Sequence, residues 1–130
     1  MKRFVTAFFA LWAAMAAIPQ FALPENAITP GKFIVEPATL LCAGFEWEVR
    51  GDDNRNAAVD VTFRKKGDAA WKKGLPLLHI GGEHIVHEVV AVDYTAPNMF
   101  AGSIFDLEPG GTYECRFEMK DPDGVRGDTV

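Results

Sequence analysis

Alternation of apolar and polar side chains with a period of two residues is the feature that most constrains how this chain can fold. In the stretch FEWEV, Phe45, Trp47 and Val49 share one side of an extended backbone, and glutamates occupy the other. The stretch YECRFEMK repeats the pattern, with every second residue from Tyr113 to Met119 on one face. Successive side chains of a strand point to opposite faces, so both stretches are predicted to be strands with one buried face.

Turn signals separate these and several shorter apolar segments. RGDDNRN is a polar turn cluster, and DPDG contains the Asp-Gly pair typical of tight turns. No helical periodicity follows the N-terminal segment. Short strands at near-regular spacing predict an all-β, immunoglobulin-like Greek-key sandwich of about seven strands. Residues 79–97 are the least regular part, and they either add a strand or form a surface excursion.

The N-terminal segment has the composition of a secretory signal. Lys2 and Arg3 precede an uncharged apolar run that is shorter than the roughly 20 residues needed to span a bilayer core. We therefore expect a helical signal peptide at residues 1–22, cleaved between Ala16 and Ala22, and a secreted or periplasmic protein. Residues 23–32 are expected to be a linker and residues 33–130 the sandwich.

The charge balance restricts the partners of the exported part. Without the two N-terminal basic residues the chain has 11 basic and 18 acidic residues, a net charge of about −7. An acidic chain without a basic cluster argues against nucleic acid and anionic membranes as partners.

The stretch LEPGGTYEC predicts a crossing between two sheets. Pro109 begins a turn, and Tyr113 at the start of the next strand could return its hydroxyl to the backbone a few residues upstream. Leu107 would then seal the same end of the core. Tyr113 also precedes Cys115 by two residues, which is the spacing of the tyrosine corner in immunoglobulin domains.

The pattern Leu107-x-Pro109-Gly110-x-x-Tyr113, after a strand containing Trp47, resembles the fibronectin type III module. The segments GFEWEVRGDDNRNAAVDVTFRKKG and NMFAGSIFDLEPGGTYECRFEMKDPDGV resemble more narrowly a module at the N-terminal end of exported bacterial proteins, ahead of right-handed β-helix domains like those of polysaccharide lyases. This resemblance implies a sandwich that is truncated in or after its last strand and a larger domain that follows it.

The two cysteines, Cys42 and Cys115, could form a disulfide between strands of opposite sheets in an exported protein. Cys115 points with the core residues, but Cys42 has the opposite parity to Trp47 unless a bulge near Gly44 shifts the register. Two unpaired, partly buried thiols are the alternative.

Candidate binding residues are few. Trp71, Tyr94 and Phe100 lie outside the clear inward positions and could stack on a sugar, or else cover an edge of the core. The remaining motifs fit solvated loops and turns better than sites; they are the histidines His79, His84 and His87, the possible calcium ligands Asp52, Asp53 and Asn54, and the RGD tripeptide at residues 126–128.

No catalytic set, metal site or cofactor site is predicted. We therefore expect a non-catalytic accessory, spacer or docking module, whose partner is a polysaccharide or an adjoining catalytic domain. The alternatives are a carbohydrate-binding module, the N-terminal domain of a secreted metal-dependent phosphatase, and a cell-adhesion module.

Overall fold

The computed structural model of the chain describes residues 24–127. The predicted signal peptide and the end of the predicted last strand, with Asp128 of the RGD tripeptide, lie outside these residues. The described part is almost entirely strand and turn, which confirms the all-β class. None of its helical segments has the length and hydrophobicity needed to cross a membrane.

Nine strands are formed by the described residues, and most of them are short. The longest ones coincide with the stretches in which apolar and polar residues alternate. The strands are β1 (Thr29–Val35), β2 (Ala43–Arg50), β3 (Ala58–Lys65), β4 (Lys72–Lys73), β5 (Leu78–Ile80), β6 (His84–His87), β7 (Val92–Thr95), β8 (Met99–Ile104) and β9 (Tyr113–Lys120), with a 3-10 turn at Glu88–Val90.

The strands form two sheets that pack on each other and one separate hairpin. The first sheet has the order β1-β2-β8-β5, and the second has the order β4-β3-β9. Strands β6 and β7 pair only with each other. All strand pairs are antiparallel, and β1 and β9 are each the last strand at one edge of their sheet.

The core lies between the two sheets and is built from the alternating residues. Trp47 on β2 is opposite Phe100 on β8, and both side chains are almost completely buried. From the other sheet, Val59, Val61 and Met119 join the same cluster. Burying a large apolar side chain contributes about 1.5–3 kcal/mol, so this central layer is the main source of the sandwich-like packing.

The first strand begins earlier than the sequence pattern indicated. Residues 23–32 were expected to be a linker, but β1 starts at Thr29 and Ile28 is fully buried. Pro30 and Gly31 look like chain breakers, yet an edge strand tolerates proline because one row of its N–H groups bonds to no neighbouring strand. The register with β2 shifts between Pro30 and Phe33, which accommodates these two residues.

The irregular middle segment provides both a strand and a surface excursion. Leu78–Ile80 joins the first sheet as β5, beside β8. The chain then leaves the sandwich as the β6–β7 hairpin, in which every residue of both strands is exposed. The hairpin carries apolar side chains, including Ile85 opposite Tyr94, and these two are 50% and 51% exposed and lie outside the core cluster.

Candidate docking groove

An open groove of about 1040 Å³ lies along one side of the sandwich in the described part of the chain. On this side the edge strand β1 of the first sheet lies near the edge strand β9 of the second. No strand covers the gap between them within residues 24–127.

The groove is lined mainly by apolar side chains of both sheets. The ring centroid of Phe117 on β9 lies 4.9 Å from that of Phe33 on β1 and 4.7 Å from that of Phe45 on β2. Phe33 and Phe117 are only partly buried, and Val35 at the end of β1 is 63% exposed. Aromatic side chains contribute most to stability when they are fully covered. A ligand that excludes water from this surface would therefore bind with a favourable hydrophobic contribution.

The groove follows the edge of β9 and is not confined to one of its faces. Cys115 and Phe117 point into the core, whereas Arg116 and Glu118 point outward, and all four line the groove. Because strand side chains alternate between faces, a surface that includes consecutive residues must run along the backbone edge. Strand β9 pairs with β3 alone, so the other side of its backbone has no strand partner in the described chain.

The hydrogen-bonded turn before β9, here called the corner, forms one end of the groove. The backbone N–H of Glu108 donates a hydrogen bond to the hydroxyl of Tyr113, with 2.8 Å between N and O. Within the same turn, Gly110 has a φ of 71° and the N–H of Gly111 bonds to the carbonyl of Glu108. The side chain of Glu108 also accepts a hydrogen bond from Lys65. This hydrogen bond and the charge of Lys65 lower the pKa of Glu108.

The other predicted members of the corner have different environments. Leu107 is partly buried against the core, and its N–H bonds to the carbonyl of Leu41, which links the corner to the loop before β2. Pro109 is exposed at the first central position of the turn. Trp47, the fourth predicted structural residue, lies at the centre of the core with no exposed surface.

The first and last described segments contact each other outside the lining of the groove. Ile28, just before β1, forms an isolated parallel bridge with Val125, which follows the turn after β9. The N–H of Ile28 also donates to a carboxylate oxygen of Asp121 at 2.7 Å. This contact joins the segment before β1 to the turn after β9.

The two cysteines are free, so the predicted disulfide is wrong. Cys42 lies in the loop before β2, with its sulfur 2.9 Å from the hydroxyl oxygen of Thr39. Cys115 is directly opposite Phe63 in the second sheet and forms part of the groove wall. The bulge that would have brought Cys42 onto the inner face is not present, because β2 pairs with β8 in continuous register. Burial raises the pKa of the Cys115 thiol.

The three candidate sugar-binding aromatics do not form a common face. Phe100 is 1% exposed, so the prediction that it could bind a ligand is wrong; it fills the core opposite Trp47. Tyr94 is exposed on the separate hairpin strand β7. Trp71 lies beneath two guanidinium groups, with the carbon of Arg116 3.8 Å and that of Arg64 4.6 Å from its ring centroid. These guanidinium groups occupy ring surface that a sugar would need.

A buried polar cluster beside β5 was not anticipated. Asp52 is 1% exposed and accepts hydrogen bonds from the N–H groups of Asn56 and Ala57. One of its oxygens is 3.1 Å from Nδ1 of His79, although the ring nitrogen has no hydrogen bond of acceptable geometry. Nε2 of His79 in turn lies 2.7 Å from the side-chain oxygen of Asn98. The buried Asp52 side chain therefore holds the β2–β3 turn through its hydrogen bonds to the turn backbone.

The remaining polar motifs are dispersed. Asp53 accepts the N–H of Glu25, whereas Asn54 donates to Asp123, so neither side chain joins Asp52. His84 pairs with Asp93 at 2.6 Å on the hairpin, away from His79. Residues 24–127 contain no group of three or more side chains placed to hold a metal ion.

Comparison with known proteins gave no matching family model, no matching curated protein and no matching solved structure.

Proposed function

We propose that this chain is a non-catalytic docking module of an exported bacterial protein, with an immunoglobulin-like, fibronectin type III-like sandwich. Its partner would be a larger carbohydrate-active domain, either in the same polypeptide or in another. The observation that carries the proposal is the apolar groove between β1 and β9, in which core aromatic residues are left partly uncovered.

A fixed turn at one end of the groove supports docking. The hydrogen bond between Glu108 N–H and the Tyr113 hydroxyl holds this turn, and Tyr113 lines the groove. A surface that is already in place before binding loses little conformational freedom when a partner arrives. Exposed apolar patches of this kind are typical of interaction sites.

The resemblance noted in the sequence determines which partner we propose. The corner sequence and the acidic, exported character fit an accessory domain next to a polysaccharide-degrading domain. A carbohydrate-binding module is the weaker candidate, because Phe100 is buried and Trp71 is overlaid by arginine side chains.

Photo-crosslinking in the producing cells tests this function. Val35 would be replaced by p-benzoylphenylalanine, which places a light-activated group in the groove, and Lys66 would be replaced likewise as a control on an exposed turn outside it. We expect position 35 to crosslink to one polypeptide segment, identified by mass spectrometry as part of, or joined to, a carbohydrate-active domain. Equal crosslinking from both positions, or none from position 35, would contradict the docking function.

A further inference from the structure

We propose that His79 makes the position of the β6–β7 hairpin depend on pH. The protonated ring holds the two legs of the hairpin, residues 81–83 and 96–98, to the β2–β3 turn, and the neutral ring releases them. The inference goes beyond the docking function and involves no residue that lines the groove. It follows from the placement of His79, from the atoms that face its two ring nitrogens, and from its burial.

His79 lies where the hairpin joins the sandwich. It is the middle residue of β5, and the first leg leads directly from β5 into β6. Asn98 ends the second leg, immediately before β8. Because His79 contacts Asn98 through one ring nitrogen and Asp52 of the β2–β3 turn through the other, it joins both legs to the turn.

The side-chain amide of Asn98 determines the protonation of Nε2. Its nitrogen donates to the carbonyl of Gly51 at 3.0 Å, so its oxygen is the atom that faces the ring of His79. That oxygen lies 2.7 Å from Nε2, and an amide oxygen can only accept a hydrogen bond. Turning the amide over would place its oxygen against the carbonyl oxygen of Gly51. The hydrogen-bond network therefore assigns a proton to Nε2.

The second ring nitrogen of His79 faces a buried carboxylate. Nδ1 lies 3.1 Å from an oxygen of Asp52 without the geometry of a hydrogen bond, so the contact is ionic. The oxygens of Asp52 accept backbone N–H groups of Asn56 and Ala57, so a proton shared with the ring belongs on Nδ1. The protonated ring thus has an oxygen beside each N–H, whereas the neutral ring turns a lone pair toward the carboxylate.

Burial makes the loss of this proton unfavourable. The side chain of Asp52 has no exposed surface, and that of His79 is 12% exposed. Within residues 24–127, His79 is the one side chain that lies at ion-pair distance from Asp52. A buried charge that loses its partner is strongly destabilising, because water cannot reach it. Deprotonation of the ring therefore favours its separation from the turn, which frees the legs.

The two other charged side chains at this junction keep their charges near neutral pH. Arg55 of the turn donates to the carbonyl of Gly81 and pairs with Glu83 in the first leg. Hydrogen bonds from the backbone, followed by the guanidinium of Arg55, lower the pKa of Glu83, so this pair stays ionised. Both of its side chains are about half exposed, and such pairs contribute little to stability. The ring face of His79 is covered by Phe100 of β8, with 4.5 Å between centroids, which has no charge.

The hairpin should be fixed in mildly acidic solution and mobile in mildly alkaline solution. At the lower pH the ring of His79 is protonated and the contact with Asp52 is present. As the pH rises through the titration of the ring, the contact is lost, and its contribution to stability is lost with it. In strong acid Asp52 takes up a proton, and the ionic contact is lost there as well.

Hydrogen exchange and NMR of the ring nitrogens test the inference on the full chain. The N–H of Gly82 bonds to the carbonyl of Ala96 between the two legs, so its exchange reports on the junction. Its protection, relative to the chemical exchange rate at each pH, should fall at least fivefold from about pH 5.5 to about pH 8.5. The nitrogen signals of His79 should show a proton on both nitrogens at the lower pH and on Nε2 alone at the higher pH, with the same midpoint. Constant protection, or two different midpoints, would overturn the inference.

Two variants assign the effect to the ring. His79→Gln has an amide that can donate a hydrogen bond to Asn98 but cannot titrate, and it should abolish the change in protection with pH. His84→Gln is the matched control, because His84 pairs with Asp93 within the hairpin and should leave the change in place. If His79→Gln does not fold, Asp52→Asn removes the ionic partner instead and should also abolish the change. A pH response that persists in the folded variant at either position would reject the proposal.

Discussion

The hydroxyl of Tyr113 accepts a hydrogen bond from the backbone N–H of Glu108, five residues earlier in the chain. The bond spans the turn that carries the chain from β8 in one sheet to β9 in the other. It fixes the start of β9, and with it one end of the groove.

Tyr113→Phe should lower the free energy of unfolding by about 1–2 kcal/mol, because the N–H of Glu108 loses its acceptor while the ring remains. The measurement is chemical denaturation of both proteins, monitored by tryptophan fluorescence. Tyr94→Phe is the matched control, since Tyr94 is exposed on the hairpin and its hydroxyl makes no hydrogen bond within the described chain. Equal stability of the Tyr113→Phe variant and the native chain would remove the corner as a stabilising element.

Gly51→Ala should destabilise the protein more than Gly67→Ala. Both glycines have a positive φ, 78° and 99°, which costs an alanine about 1–2 kcal/mol. A Cβ at Gly51 would in addition collide with the carbonyl oxygen of Ala27, whereas a Cβ at Gly67 would meet nothing within 4 Å. Comparing the two midpoints of thermal unfolding isolates the collision. Similar midpoints would contradict the close packing of the residues before β1 against the β2–β3 turn.

Asp52→Asn tests the buried polar cluster. Asparagine tolerates the positive φ of this position, 54°, but has one acceptor oxygen in place of two. We expect a loss of about 1–3 kcal/mol, because buried N–H groups of the turn lose part of their acceptor. Asp68→Asn, on an exposed turn, is the control and should be neutral within about 0.5 kcal/mol. A neutral Asp52→Asn would show that the carboxylate charge does not matter to the turn.

Cys115 should react slowly with iodoacetamide at neutral pH. The thiolate is the reactive form, and burial raises the pKa of this thiol, so little thiolate is present. Peptide mapping after timed alkylation gives the rate at Cys115, and the same experiment in denaturant gives the rate without burial. The native rate should be the slower one by at least tenfold. Equal rates would indicate that this wall of the groove is not packed as described.

The parts of the fold that were predictable from sequence are those in which local pattern and tertiary packing agree. Strands β2, β3 and β9 alternate regularly, and their apolar faces are the faces that form the core. The corner was also recognisable, since proline and glycine determine the turn before Tyr113 is placed. In these stretches each residue has one favourable position, and the sequence pattern indicates it.

The failures have a different physical origin. Phe100 follows Asn98 and Met99 in a segment without clear alternation, and only its pairing opposite Trp47 shows that it is buried. Cys42 was assigned to a strand, but the strand begins one residue later and leaves its thiol in the preceding loop. The pairing of strands distant in sequence decided both cases, and local pattern does not contain this information.

The groove could not have been inferred from the chain residue by residue. Its walls come from β1, β2 and β9, which are far apart in sequence, and β1 and β9 are edge strands among the described residues. The burial of Asp52 was likewise not predictable. In the sequence it is one of several polar turn residues, and nothing in RGDDNRN indicates which carboxylate points inward. The one available signal was its position immediately after a strongly alternating strand.

Photo-crosslinking from position 35 tests the docking function most directly. p-Benzoylphenylalanine in place of Val35, on the groove wall, should crosslink to one polypeptide segment that is part of, or joined to, a carbohydrate-active domain. The same group in place of Lys66, on an exposed turn outside the groove, should not crosslink to that segment. Equal crosslinking from both positions, or none from position 35, would contradict the docking function.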